Sequence, residues 1–285
     1  MVDYSAMDAM DTRPETRKLD LDHVRIRHGA EPFLLDGGEV GCVCTHGFTA
    51  SPEEMRWLAT YLHARGLTVY VPRLAGHGTQ PAIMRRQHWL NWYEDELDAI
   101  ALLRARCRKV FAVGLSMGGL LSLRAGTDGI VDGVVAMATP LFIEQRAARY
   151  ARLINLVLPF TRKSDWPGAL DEAVRAAQRA MGLDDYGRLD YRLRPTASVV
   201  QLTALMRDVR RRLPRLSVPL LLVYSRADDT APYASLEYVA GRVRSTDVVQ
   251  HTLERSGHIL TQDVERETVF RLVWEFIQAR MGVTE

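Results

Sequence analysis

From Gly41 onward, short apolar runs rich in β-formers alternate with amphipathic segments of helical period, and this alternation narrows the possible folds more than any other feature of the chain. The runs Gly41 to Thr45, LTVYVP, KVFAVG, VDGVVAMAT, VPLLLVYS and TDVVQHTL read as strands. Between them, Met55, Leu58, Ala59 and Leu62 recur at helical spacing, as do Trp92, Leu97, Ile100 and Leu103. Ser51 reads as the N-cap of the first of these helices, with Pro52 in its first position and Glu54 three residues on. SLEYVAGRV forms a further helix, and a closing helix from Val264 to Met281 turns Val269, Leu272, Val273, Phe276 and Ile277 inward. Strands that alternate with helices demand a mainly parallel sheet with helices on both faces. The continuously apolar runs AVG, VVAMA and LLLVY suit strands buried on both sides.

Residues 141–214 break the alternation: they are helical, arginine-rich and without a strong strand, and a structureless loop of that length is improbable. We therefore expect a helical insertion over a core formed by residues 1–140 and 215–285, with residues 1–25 a loose extension. The polar start of the chain lacks an apolar signal region, and no stretch reaches the roughly 18 apolar residues of a membrane span. Three cysteines, an odd number, point to reduced thiols and a cytoplasmic setting. Cys42 and Cys44, two apart in a strand, are expected as small buried hydrophobes on one sheet face. A net charge of +2 with dispersed basic residues gives no sign of a nucleic-acid partner.

Gly114-Leu115-Ser116-Met117-Gly118 falls at the junction of the run Val110 to Val113 and a helix carrying Leu120, Leu121 and Leu123. G-x-S-x-G in a strand–turn–helix setting lifts a serine onto a strained, exposed elbow. The two glycines leave room where a Cβ would strike the neighbouring strand or helix. The helix start supplies unpaired N–H groups and a positive dipole end to an oxyanion forming at Ser116.

On such an elbow the acid and then the histidine follow the serine in the chain. Two histidines follow Ser116. His251 lies within a strand run, whereas His258 lies in the loop beyond it, where open α/β sheets keep their sites, so His258 is the expected base. Asp228 and Asp229 both follow the strand LLLVYS; Asp228 is taken as the orienting acid and Asp229 as a cap on the following turn. His77, which precedes Ser116, reads as a structural loop residue. The second oxyanion donor beside Met117 should be a backbone N–H after an early strand, and His46-Gly47-Phe48 makes Phe48 that donor.

In these residues the chain resembles the bacterial monoacylglycerol lipase and thermophilic carboxylesterase group of the α/β hydrolases. The likeness rests on GAEPF, THGFTASPEEM, GLTVYVPRLAGHGT, VFAVGLSMGGLLSL, RPTASVVQL and SGHILTQD, in that order, from about Gly29 onward. It implies an α/β-hydrolase fold with a small helical cap, a triad of Ser116, Asp228 and His258, and oxyanion donors Phe48 and Met117. Where bacterial monoacylglycerol lipases carry an acidic cap residue for the glycerol hydroxyls, this chain has Arg188, with Asp184, Asp185 and Asp190 nearby. The resemblance thus implies ester hydrolysis more firmly than glycerol recognition.

The expected substrates are lipid-like esters of short to medium acyl chains, ranked gently, since an apolar channel discriminates by about 1–3 kcal/mol per methylene. Leu153, Leu156 and Val157 are the expected channel wall, and Arg146, Arg149 and Arg152 the solvated face of the same helix. No cofactor or metal is expected, because neither a phosphate loop nor an HExxH-type spacing occurs. The same triad would serve a thioesterase or acyltransferase, and the scaffold alone could serve a non-catalytic ligand-binding protein. The protein is expected to act as a monomer or homodimer.

Overall fold

The strand runs assemble into one seven-stranded sheet in the computed structural model, which describes residues 25–143, 155, 158–163 and 168–282. In chain order the strands are β1 (Phe33–Leu35), β2 (Val40–Thr45), β3 (Thr68–Val71), β4 (Lys109–Leu115), β5 (Gly133–Met137), β8 (Leu220–Ser225) and β9 (Val248–Leu253). Their order across the sheet is β1-β3-β2-β4-β5-β8-β9. Only β1 runs antiparallel to its neighbour, pairing Phe33 with Val71. β6 (Phe160–Arg162) and β7 (Leu193–Pro195) form a separate antiparallel ribbon.

The helices are α1 (Arg56–His63), α2 (Pro81–Met84), α3 (Trp89–Arg104), α4 (Met117–Asp128), α5 (Gly168–Ala180), α6 (Thr196–Arg212), α7 (Ala234–Ala240) and α8 (Arg266–Gln278). The strand period of two divides the core between the sheet faces. Val110 and Ala112 of β4 pack with Ile100, Leu120 and Val209 from α3, α4 and α6. Phe111, Val113 and Leu115 face the other way, onto Leu58 and Leu62 of α1 and Val273 and Phe276 of α8. Cys42 and Cys44 share this second face, fully buried and unbridged, and burial raises both thiol pKa values.

Two local expectations change. The segment after Ser51 opens as a 3-10 turn, Pro52–Met55, before α1, and the Ser51 side chain makes no capping bond. Glu54 is drawn away from that role: its carboxylate accepts the N–H of Gly47 instead. Between β5 and β8, where no strong strand was expected, the β6–β7 ribbon forms, with β7 against α2 and α6. Its three-residue strands, with Pro195 in one of them, are too short to leave a period in the sequence. Residues 1–24 of the expected extension lie outside the described residues, as do Arg146, Arg149, Arg152, Leu153, Leu156 and Val157. No helix among the described residues is long and apolar enough to cross a membrane.

Because six strands run parallel, the loops after β2, β4, β8 and β9 emerge at one edge of the sheet. That edge holds every site residue named from the sequence.

Candidate active site

Ser116 joins β4 directly to α4 with φ 56° and ψ −115°, a left-handed conformation that strains a residue with a side chain. The tightness of the elbow explains its glycines. A Cβ on Gly118 would run into the carbonyl of Thr45, and one on Gly114 into the backbone of Gly118. The Ser116 N–H is tied to the Met137 carbonyl at 2.8 Å, so β5 fixes the turn.

His258 hangs from the loop after β9. Glu265 accepts both the N–H and the hydroxyl of Ser256 at 2.8 Å, and Asp263 accepts the Gly257 N–H at 2.7 Å. So held, the imidazole has Nε2 2.9 Å from Ser116 Oγ and Nδ1 2.9 Å from Asp228 Oδ2. The other oxygen of Asp228 accepts the N–H groups of Thr230 and Ala231 at 2.8 and 2.9 Å. Burial alone would raise the Asp228 pKa; the hydrogen bond from His258, its charge and the two backbone N–H groups outweigh burial, and the pKa falls below its ordinary value. An ionised Asp228 can only accept, which assigns the proton to His258 Nδ1 and leaves the Nε2 lone pair facing Ser116. Asp228 thus both orients the histidine and caps the turn, the role expected of Asp229. Asp229 instead faces the cavity and accepts from the Thr230 hydroxyl at 3.1 Å. His251 stays within β9, in register with Val223 and away from the cluster.

Met117 is the first residue of α4, where N–H groups have no partner within the helix. Phe48 lies in the loop after β2 and lines the same cavity as Ser116, its ring edge-on to Trp92. Gly47, just before it, packs so closely that a Cβ there would stand 3.4 Å from that of Ser116. His46 supports this loop. Its Nε2 accepts the Leu74 N–H at 3.3 Å, which leaves Nδ1–H to donate to the Gly47 carbonyl at 3.0 Å. Both bonds require a neutral ring, and burial pushes the His46 pKa down to about 4. His77 is a buried partner edge-on to His46 and Trp92, off the reactive cluster.

A cavity of about 530 Å³ opens over Ser116 and His258, within the size range of small-molecule sites. One wall is apolar, with Ile143, Leu170 and Val199, Leu202 and Met206 of α6. The other carries Thr49, Lys163, Arg188 and Asp190. Lys163 Nζ bridges Asp190 at 2.5 Å and Thr49 Oγ1 at 2.9 Å, and Arg188 lies 3.6 Å from Asp190 and 3.9 Å from Glu54. Of the three aspartates near Arg188, only Asp190 reaches the cavity; Asp184 pairs with His28 and Asp185 with Arg179 at the surface. The α6 wall was visible in principle, since 199, 202 and 206 follow helical spacing. Lys163 and Glu54 carried no such signal, because their roles depend on contacts distant in sequence. No cluster of three or more metal-ligating side chains occurs among the described residues.

The arrangement puts an imidazole nitrogen in hydrogen-bond reach of the Ser116 hydroxyl, where it can accept that proton. A family model described as the alpha/beta hydrolase family matches residues 42–271. The chain belongs to the alpha/beta hydrolase family. This α/β hydrolase is 32% identical over 259 residues to a thermostable monoacylglycerol lipase of Bacillus sp. (strain H-257), spanning 89% of this chain and 96% of that one. It is 26% identical over 250 residues to a carboxylesterase of Bacillus subtilis (strain 168), across 87% and 96% of the two chains. Among solved structures, one from work on LipS and LipT, two metagenome-derived lipolytic enzymes, matches with a TM-score of 0.80 at 28% identity, covering 90% of this chain and all of that one. The Paleococcus ferrophilus monoacylglycerol lipase shares the fold, with a TM-score of 0.73 at 18% identity over 88% of this chain and 98% of its own.

Proposed function

We propose that this α/β hydrolase cleaves carboxylic esters through a covalent acyl-enzyme on Ser116. That it is a carboxylic ester hydrolase follows from its kinship with the lipase and the carboxylesterase over nearly their whole lengths. The observation that carries the mechanism is the continuous pair of 2.9 Å contacts from Ser116 through His258 to Asp228, with Ser116 and His258 lining the cavity.

His258 Nε2 takes the Ser116 proton as Oγ attacks the ester carbonyl. The oxyanion that forms is met by the N–H groups of Met117 and Phe48. Asp228 stabilises the imidazolium without taking its proton. Collapse of the intermediate expels the alcohol, protonated by His258, and leaves the acyl group on Ser116. A water activated by the same histidine then attacks the acyl carbonyl, releasing the acid and restoring Ser116.

The apolar wall of α6 suits an acyl chain of short to medium length, and the polar wall suits an oxygen-rich alcohol, monoacylglycerols among them. The described parts of the insertion, among them Ile143, Lys163, Leu170, Arg188 and Met206, act as a cap over this cavity, and the buried free thiols are in keeping with a cytoplasmic setting. The test is turnover of p-nitrophenyl esters of graded length, monoacylglycerols and an acyl thioester by wild type and Ser116→Ala. Wild-type ester hydrolysis that drops by several orders of magnitude in Ser116→Ala supports the reading. A folded wild type inert on every oxyester, or an active Ser116→Ala, overturns it.

A further inference from the structure

Glu54 is buried, 6% exposed, beside the reactive cluster, yet no step above uses it. Its Oε2 accepts the N–H of Gly47 at 2.7 Å, across seven residues of chain. Its own carbonyl is held by the Thr261 hydroxyl at 2.7 Å, from the loop that also carries His258. Gly47 is the residue before Phe48, and glycine has the widest backbone freedom of any residue. The peptide linking the two is planar, so the Gly47 carbonyl and the Phe48 N–H point in opposite, coupled directions. That carbonyl is gripped by His46 Nδ1 at 3.0 Å and the Ala50 N–H at 3.3 Å. Glu54 grips the peptide on the other side of Gly47. With both flanking peptides fixed, the Phe48 N–H has one direction available.

We infer that Glu54 is a positioning residue of the oxyanion hole, locking the Gly47 peptide so that the Phe48 N–H is aimed at the developing oxyanion. The inference rests on the reading of Phe48 as a donor. A full negative charge so close to that oxyanion would oppose it. Arg188, 3.9 Å from Oε1, offsets such a charge with its own; Arg188 and His258 favour the charged form of Glu54, and Asp190 opposes it. Burial, the largest influence, shifts the carboxyl toward its neutral form, and a neutral carboxyl keeps the C=O that Gly47 needs. Acceptor geometry is therefore what Glu54 supplies, and an amide can supply it too.

The experiment is steady-state kinetics on p-nitrophenyl butyrate for wild type, Glu54→Gln, Glu54→Ala and Glu54→Asp, with amide hydrogen exchange read at Gly47. Loss of one oxyanion donor lowers kcat by about 10²–10³-fold in a serine hydrolase. A misaimed donor should lower kcat by roughly tenfold to a hundredfold in Glu54→Ala, with KM within about threefold of wild type. Glu54→Gln should recover most of that rate, and Glu54→Asp, one methylene too short, should not. Gly47 exchange should speed up in Glu54→Ala and return toward wild type in Glu54→Gln. If Glu54→Ala does not fold, the Gln and Asp pair gives the same contrast. Equal losses in Glu54→Gln and Glu54→Asp, or a folded Glu54→Ala with wild-type kcat, overturn the inference. A wild type without esterase activity overturns the function proposed above, whereas the exchange pattern at Gly47 still decides whether Glu54 holds the loop.

Discussion

Replacing Asp228 by asparagine changes one atom, and the structure dictates how the site responds. Oδ1 takes two backbone N–H groups, from Thr230 and Ala231. Asparagine has one acceptor atom, so its oxygen must occupy that position. Its NH₂ then faces His258 Nδ1 at the place of Oδ2, 2.9 Å away. Two donors cannot share that contact, so Nδ1 gives up its proton and Nε2 carries it. Nε2–H points at Ser116 Oγ, and the histidine can no longer act as its base. In another serine hydrolase this wrong tautomer lowers kcat by about 10⁴-fold, or about 5.5 kcal/mol of transition-state stabilisation. The same drop is expected here in kcat, with KM little changed. Losing the charge that accepts three hydrogen bonds on the buried Asp228 side chain should also lower stability by about 1–3 kcal/mol. The Asp228 pKa is lower folded than unfolded, so this contribution exists above the unfolded carboxylate pKa and disappears as pH falls through the folded one. The acid-side loss of stability should therefore be shallower in the variant. The assay is kcat and KM on p-nitrophenyl butyrate, with urea unfolding at several pH values. A folded Asp228→Asn within tenfold of wild-type kcat, or one whose loss lies in KM, refutes the tautomer argument.

Two further outcomes test the scaffold. Gly118→Ala would drive a Cβ into the Thr45 carbonyl, a backbone atom that cannot swing aside, so we expect a loss of more than about 3 kcal/mol or no soluble protein; a urea midpoint near wild type would contradict the packing described for the elbow. Glu96 on α3 is fully buried against the Thr45 hydroxyl at 2.5 Å, and burial pushes its carboxyl up to about 8. The folded state then keeps a proton that the unfolded chain has lost, so wild-type stability should fall as pH rises from the ordinary glutamate range to about 8 and level off beyond. Glu96→Gln should flatten that slope in urea midpoints measured across the range, and parallel profiles would argue against a buried proton at Glu96.

The parts of the molecule that were legible in the sequence are those governed by local period. The core strands and the long helices α3 and α8 follow from apolar spacing, because both sheet faces are buried and every strand residue is under the same demand. The cluster of Ser116, Asp228 and His258 was legible because chain order and strand ends constrain it. β1, α2 and the β6–β7 ribbon left no period: each has only three or four residues. Glu54 shows the limit most clearly. Its spacing from Ser51 matches a capping box, but a tertiary partner at Gly47 outcompetes the local one. The polar wall joins Thr49, Lys163, Arg188 and Asp190 from three stretches of chain that nothing in the sequence relates.

His258 hangs from the loop after the last strand of the chain, β9, and that strand lies at the border of the sheet. Ser116 and Phe48 follow the inner strands β4 and β2, each flanked on both sides; His258 follows a strand held on one side only, by β8. During synthesis, Ser116 leaves the ribosome long before the residues that can deprotonate it, so the growing chain carries a dormant alcohol. In the finished protein, fraying of this one border strand would disarm the serine while the rest of the sheet stayed intact.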